Sequence, residues 1–257
     1  MTKVLLVGET WISAATHFKG FDDFSSTTYH SGAEEFLKCF KNSDIVVHHL
    51  PGHTAPEEFP LNLEALQAYD VLILSDIGAN SLLLHPKVWL EGQTVPNRLK
   101  IIEQYVHLGG GLMMIGGYLS FQGLDAKAQW AETPVERVLP VQISKFDDRI
   151  EMPDGAEPKI SQKPSHPITK KLDNNFPYIL GANKLEVSIE SDAELLMHFS
   201  YDDEDYPLLV SGKFGRGRSV CWTSDIGPHW LSKSFMSSDQ YPKLWRNCIE
   251  WLSQKNV

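Results

Sequence analysis

Apolar residues in this chain fall in short continuous runs set between polar helical patterns. Residues 3–7 form such a run after one charge and before Gly8, which reads as a strand buried on both faces. The stretch ETWISAATH that follows reads as a loop. Ser31 is a candidate cap for a helix over AEEFLKCF, and a strand at 44–50, the Pro- and Gly-rich connection PGHTAPEEFP and a short helix near 61–68 come next. YDVLILS at 69–75 is the clearest strand. Residues 97–108 place Leu99, Ile102 and Val106 on one helical face, Gly109 to Gly111 stop that helix, and the strand LMMIGG begins at once.

Alternation of buried strands with helices predicts an α/β fold with a doubly wound, mostly parallel, flavodoxin-like sheet. Residues 145–183 break the rhythm. Pro153, Pro158, Pro164, Pro167 and Pro177 predict an extended excursion or strap across the surface, without long helices or central strands. Regular structure resumes at AELLMHF. YPLLVSGKFGRGRSVCWTSD then predicts a C-terminal β-hairpin turning at Gly215 to Gly217, and a last helix over 240–253 closes a single domain spanning 1–257.

Composition narrows the partners. With 23 Lys plus Arg against 33 Asp plus Glu, the net charge is −10, unsuited to a nucleic-acid backbone. No apolar run approaches the ~18 residues that span a bilayer, and the first apolar run is too short for a signal peptide. A cytoplasmic protein with no membrane partner is expected. Cys39, Cys221 and Cys248 are widely spaced and sit among apolar residues, which reads as three buried thiols.

In a parallel sheet, ligands bind beyond the carboxyl ends of the strands. There the chain offers Glu9, Thr10 and Trp11; His53; Asp76 and Gly78; Tyr118, Ser120 and Gln122; and Asp225, His229 and Trp230. Acids, an imidazole and aromatic walls suit a small polar molecule. His229 reads either as a general acid or base or as a group bracing the Pro228 turn. Asp225 either orients that imidazole or caps the following turn. Trp11 and Trp230 fit a pocket wall or a subunit interface, so a homo-oligomer stays open. His48 and His49 point to opposite faces of a strand, which argues against a shared metal. A site from His53, Asp76 and His229 would need three loops to converge. The chain lacks Gly-rich phosphate motifs, and no cofactor is expected.

YDVLILSDIGAN followed by a helix and GGGLMMIGGYLSFQG resembles the class I glutamine amidotransferase fold. HPITKKL, PLLV, FGRGR and TSDIGPHW are similar to segments of its glutamine amidotransferase-like branch, near the trehalose-utilisation type. The resemblance implies an oxyanion loop at Gly78, a nucleophile elbow at Gly116, Gly117 and Tyr118, and a base at His229. The elbow carries no cysteine, and Trp230 and Leu231 follow His229 where the family has Pro and Glu. Glutaminase chemistry is therefore not expected. The readings that remain are a binding module using Asp76, Gly78, Gly117, Tyr118, Gln122, Trp11 and Trp230, a hydrolase in which His229 with Asp225 or Asp76 activates water, and a scaffold domain.

Overall fold

Each buried run sends alternate side chains to opposite faces, and the protein covers both. In a computed structural model, which describes residues 1–161, 166–189 and 192–255, the chain begins with strand β1 (Thr2–Gly8). Next come β2 (Thr10–Lys19), β3 (Asp22–Ser31), helix α1 (Glu34–Lys38), β4 (Ile45–Leu50), α2 (Ala55–Glu58), α3 (Leu63–Leu66) and β5 (Val71–Ser75). Then follow α4 (Ala79–Leu83), α5 (Pro86–Trp89), α6 (Arg98–His107), β6 (Gly111–Ile115), β7 (Val141–Gln142), β8 (Arg149–Ala156), β9 (Lys159–Ile160) and β10 (Ile179–Asn183). The chain ends with β11 (Glu186–Val187), β12 (Glu194–Tyr201), β13 (Glu204–Phe214), β14 (Gly217–Trp222), α7 (Lys233–Met236) and α8 (Gln240–Ser253).

Eight strands form the central sheet in the order β4-β1-β5-β6-β14-β13-β12-β9. The first five are parallel, and β13, β12 and β9 continue it antiparallel. Val4, Leu6, Ile73 and Met113 pack with Phe36 of α1 and with Leu244, Trp245 and Ile249 of α8. Leu5, Val7, Leu72 and Met114 face the other way, against Leu99, Ile102 and Val106 of α6. Each such side chain, fully buried, stabilises the fold by about 1.5–3 kcal/mol. This is the flavodoxin-like, doubly wound architecture that the apolar runs predict, with the hairpin of β13 and β14 turning at Gly215.

Helix α6 shows how local chemistry sets an element. The Asn97 side chain accepts hydrogen bonds from the Leu99 and Lys100 N–H groups, and Gly109, at φ 119°, ends the helix. Arg98, fully buried, donates to the Pro56 carbonyl at 2.9 Å and so ties α6 to α2.

Three expectations are corrected. The stretch ETWISAATH is not a loop, and Ser31 does not cap the helix that follows. Residues 10–31 form a two-stranded antiparallel arm, β2 with β3, paired from Thr10 opposite Ser31 to Lys19 opposite Asp22. Ser31 ends the arm, and Ala33 precedes α1 with no side-chain cap. The segment 145–183 is not a surface strap either, because Met152, Ala156, Ile168, Phe176, Ile179 and Ala182 enter the same core as α8. There β8 pairs with β10, with an irregularity between the partners of Glu151 and Ala156 where Pro153 falls. Pro164 lies outside the described residues. Finally, Trp230, expected as a pocket wall or an interface residue, is fully buried.

Candidate functional site

The carboxyl ends of β1, β5, β6 and β14 meet at one edge, and each turns sharply. Gly8 leaves β1 at φ 102°, and a Cβ there would lie 2.0 Å from the Ser75 carbonyl oxygen. Glu9 follows in the left-handed region at φ 57°. Its N–H donates to the Ser75 carbonyl at 2.9 Å, and the Ser75 hydroxyl donates to its Oε2 at 2.5 Å. The Glu9 carboxyl is held well above the usual carboxylate range, first by burial and then by Asp225 and Asp76.

Asp76 leaves β5 in the same left-handed way, at φ 43°. Its N–H donates to Ser120 Oγ at 3.0 Å, and its Oδ1 accepts from the Leu119 N–H at 2.7 Å. Burial pushes this carboxyl up to about 6, with Asp225 adding to the rise. After β14, Asp225 caps the following turn and lies near the imidazole of His229. Its Oδ1 accepts from the Ile226 N–H at 2.6 Å and the Gly227 N–H at 3.2 Å, while Oδ2 lies 3.8 Å from His229 Nδ1. Asp225 raises the imidazole above its ordinary value of 6.5, against the opposing effect of burial.

The turn after β6 is shaped by two glycines. A Cβ on Gly116 would meet the Thr223 carbonyl oxygen at 2.1 Å, and one on Gly117 would meet Asp76 Oδ1 at 2.8 Å. Asn183 holds this turn: its Oδ1 accepts from the Gly117 N–H at 3.0 Å, and its Nδ2 donates to Asp148 Oδ1 at 2.7 Å. Asp148 in turn accepts from the Gln122 and Gly123 N–H groups, each at 2.8 Å. The left-handed, non-glycine residues bordering the cleft are thus Glu9 and Asp76, whereas Tyr118, at the position implied for a nucleophile, has ordinary backbone geometry.

These ends enclose a cleft of about 500 Å³. Glu9, Asp76, Asp225 and His229 supply its polar groups, Trp11 and Tyr118 supply aromatic walls, and Leu119 and Leu124 add apolar surface. No Lys, Arg or Cys is among the lining residues. Tyr118 sets its ring edge to face on His229, with centroids 4.4 Å apart, and donates its hydroxyl to Glu151 Oε1 at 3.0 Å.

Five of the nine expected site residues therefore share the cleft: Trp11, Asp76, Tyr118, Asp225 and His229. The other four stand behind it. Gly78 faces Ala128, whose carbonyl oxygen accepts the next N–H, from Ala79. Gly117 braces Asp76 and gives its N–H to Asn183. Gln122 directs its amide to the Lys145 carbonyl and the Ala131 N–H, and Trp230 stacks behind His229 while donating to Glu151 Oε2 at 3.2 Å. Glu9 was legible as a strand-end acid. Asp148, Asn183 and Glu151 carried no sequence signal, because their segment read as irregular.

Metal and thiol chemistry find little support in this geometry. His53 packs against Tyr29, away from Asp76 and His229, and His49 bonds to the Gly8 carbonyl. Among the described residues, no group of three or more His, Cys, Asp or Glu is arranged to hold a metal ion. Cys221 and Cys248 are fully buried and Cys39 half buried. Burial pushes all three thiols up, Cys39 to about 11, opposite to what a nucleophile requires.

The same architecture occurs elsewhere. Two cytoplasmic proteins of Salmonella typhimurium, one from strain LT2, are each 37% identical to this chain. The first has a TM-score of 0.90 over 97% of this chain and 98% of its own, and the second 0.91 over 98% and 99%. A protein of Bacteroides uniformis described as ThuA-like, the trehalose-utilisation type, shares the fold at 16% identity and a TM-score of 0.59, over 99% of this chain and 92% of its own. No curated protein matches the chain in sequence. Among the described residues, no helix is long and apolar enough to cross a membrane. Residues 3–254 match the family model described as "Putative glutamine amidotransferase". Since that match runs through the strands, the cleft and the last helix alike, the chain belongs to the glutamine amidotransferase-like family.

Proposed function

We propose that the carboxyl-edge cleft binds a small uncharged or cationic polar molecule, without the thiol chemistry of a glutaminase. The observation that carries this reading is the convergence of three carboxyl groups and one imidazole on a cleft whose lining includes no Lys, Arg or Cys. An anionic ligand would meet three carboxyl groups offset, among the lining residues, by the His229 imidazole alone. A neutral or cationic one gains hydrogen bonds from acids at one end and stacks on Trp11 and Tyr118. The N–H groups of Gly117, Leu119 and Ala79 are engaged within the protein, which argues against an oxyanion hole built from them. We place the protein in the cytoplasm with its Salmonella relatives.

A second reading, hydrolysis by activated water, is favoured by the opposed environments of two groups. Burial pushes Asp76 up to about 6, while Asp225 raises His229 above its ordinary value of 6.5. A base beside an acid at one pH is the arrangement that general acid–base catalysis needs.

The test is a thermal-shift screen of neutral polyols, amines and carboxylates, run beside ammonia release from glutamine. Stabilisation by neutral or amine compounds that is lost in Asp76→Asn supports the reading. Stabilisation by carboxylates alone, or glutamine turnover that a Cys→Ala variant abolishes, overturns it. Hydrolysis lost in His229→Ala would select the second reading.

A further inference from the structure

The arm of β2 and β3 stands apart from the body, and nearly all of its residues are exposed on both faces. At ~3.4 Å per residue its ten-residue strands are about 34 Å long. A lone two-stranded hairpin is marginally stable in water and needs a further element to pack on. Its sequence lacks the usual defences of a free edge. From Thr10 to Phe18 and from Phe24 to Ser31 there is no Lys, Arg, Asp, Glu or Pro, although such residues ordinarily keep exposed strands from pairing.

Side-chain size along the arm follows a symmetrical pattern. The base carries Trp11, stacked on His30 at 5.1 Å, together with Ile12 and Tyr29. The middle is small and uncharged, Ser13 to Thr16 opposite Ser25 to Thr28. The tip is aromatic again: His17 stacks on Phe24 at 4.6 Å, and Phe18 and Phe21 are among the most exposed side chains in the protein. The geometry points to a second copy of this chain as the occupant, two arms lying side by side and antiparallel across a two-fold axis so that each aromatic tip covers the other's base.

This arrangement sets small residues against small residues at the centre and aromatic residues against aromatic residues at both ends. It is self-complementary, as an isologous interface must be. Side chains alternate between the two faces of the arm, and the face that carries Trp11 and His30 at its base carries His17 and Phe24 near its tip, with Phe21 at the turn, a pattern that is its own complement when two arms run antiparallel. Trp11 belongs to both the arm and the cleft, so the partner's Phe21 comes to the cleft mouth and completes its wall.

Sedimentation equilibrium at micromolar concentration tests it. The full chain is expected at twice its chain mass. A Phe18→Ser, Phe21→Ser, Phe24→Ser triple variant is expected at half that, with unchanged circular dichroism because the three side chains are exposed. On mild oxidation, a mixture of Phe21→Cys and His30→Cys chains, His30 lying on the same face as Trp11, is expected to give a crosslinked dimer that neither variant gives alone. A monomeric full chain, a dimer that persists in the triple variant, or crosslinking of Phe21→Cys with itself would each overturn the proposal.

Discussion

His229 Nδ1 faces Asp225 Oδ2 at 3.8 Å, while Oδ1 of the same carboxylate caps the turn that carries the histidine. One carboxylate thus caps the turn and raises the pKa of the imidazole above its ordinary value. Because the folded pKa of His229 is raised, the pair adds stability in full below pH 6.5, its ordinary value, and loses it as pH rises through the folded value. Asp225→Asn keeps an acceptor for the turn and removes the charge, so the NMR titration midpoint of His229 should fall. Asp225→Ala should also unfold more easily, by about 1 kcal/mol, the worth of a lost cap. A midpoint unmoved in both variants would show that the carboxylate does not charge the ring.

Glu9 gives the opposite test, because its burial favours the neutral acid. Its folded pKa is raised, so its share of stability is full below pH 4.5, its ordinary value, and declines as pH rises through the folded value. Glu9→Gln removes this pH-dependent cost and keeps an acceptor for Ser75. At about pH 8 the variant should melt roughly 2–4 °C higher than the parent, as ~1 kcal/mol gives in a domain of this size. The gain should vanish in acid. A variant less stable across the whole pH range would contradict the assignment.

Asp76 predicts how binding varies with pH. With its carboxyl at about 6, affinity for an amine ligand should strengthen as pH rises through that value. In Asp76→Asn the step should disappear from a calorimetric pH series. A step of unchanged size in that variant would assign it to another group.

Behind the cleft, Asp148 accepts two backbone N–H groups and the Asn183 amide in a buried setting. Asp148→Ala leaves all three donors unpaired, at about 1–3 kcal/mol each, and should lower urea stability by roughly 3 kcal/mol or more. Loss of less than ~1 kcal/mol would mean that water replaces the carboxylate.

Gly117→Ala would set a Cβ within 3.0 Å of the Asp76 side chain, on a backbone at φ 149°. The variant should remain folded but lose the Asp76-dependent pH step in ligand binding. Retention of that step would show that Asp76 can move aside.

The sheet was legible from the sequence because a strand buried on both faces leaves an unbroken apolar run, as at Val71–Ser75. The last helix was legible because one face of it is buried. The arm was not, since neither of its faces meets a core and no period of two is imposed on Thr10–Lys19. Prolines misled at 145–183, where Pro153 sits in an irregular stretch of β8 that a two-stranded sheet tolerates. In the site, residues at the ends of known strands could be named, but not which of them turn inward. That depends on contacts such as Asn183 with Gly117, 66 positions apart.

The Gly32 N–H donates to the Glu9 carbonyl at 3.0 Å, so the chain enters and leaves the arm at a single hydrogen bond. An excursion closed this tightly behaves as an insertion cassette. Its length can drift through deletion or duplication without shifting the register of β1 or the carboxyl of Glu9, and the cost of longer loops grows only slowly. Evolution can therefore vary the exposed surface of the arm while leaving the acids of the cleft in place.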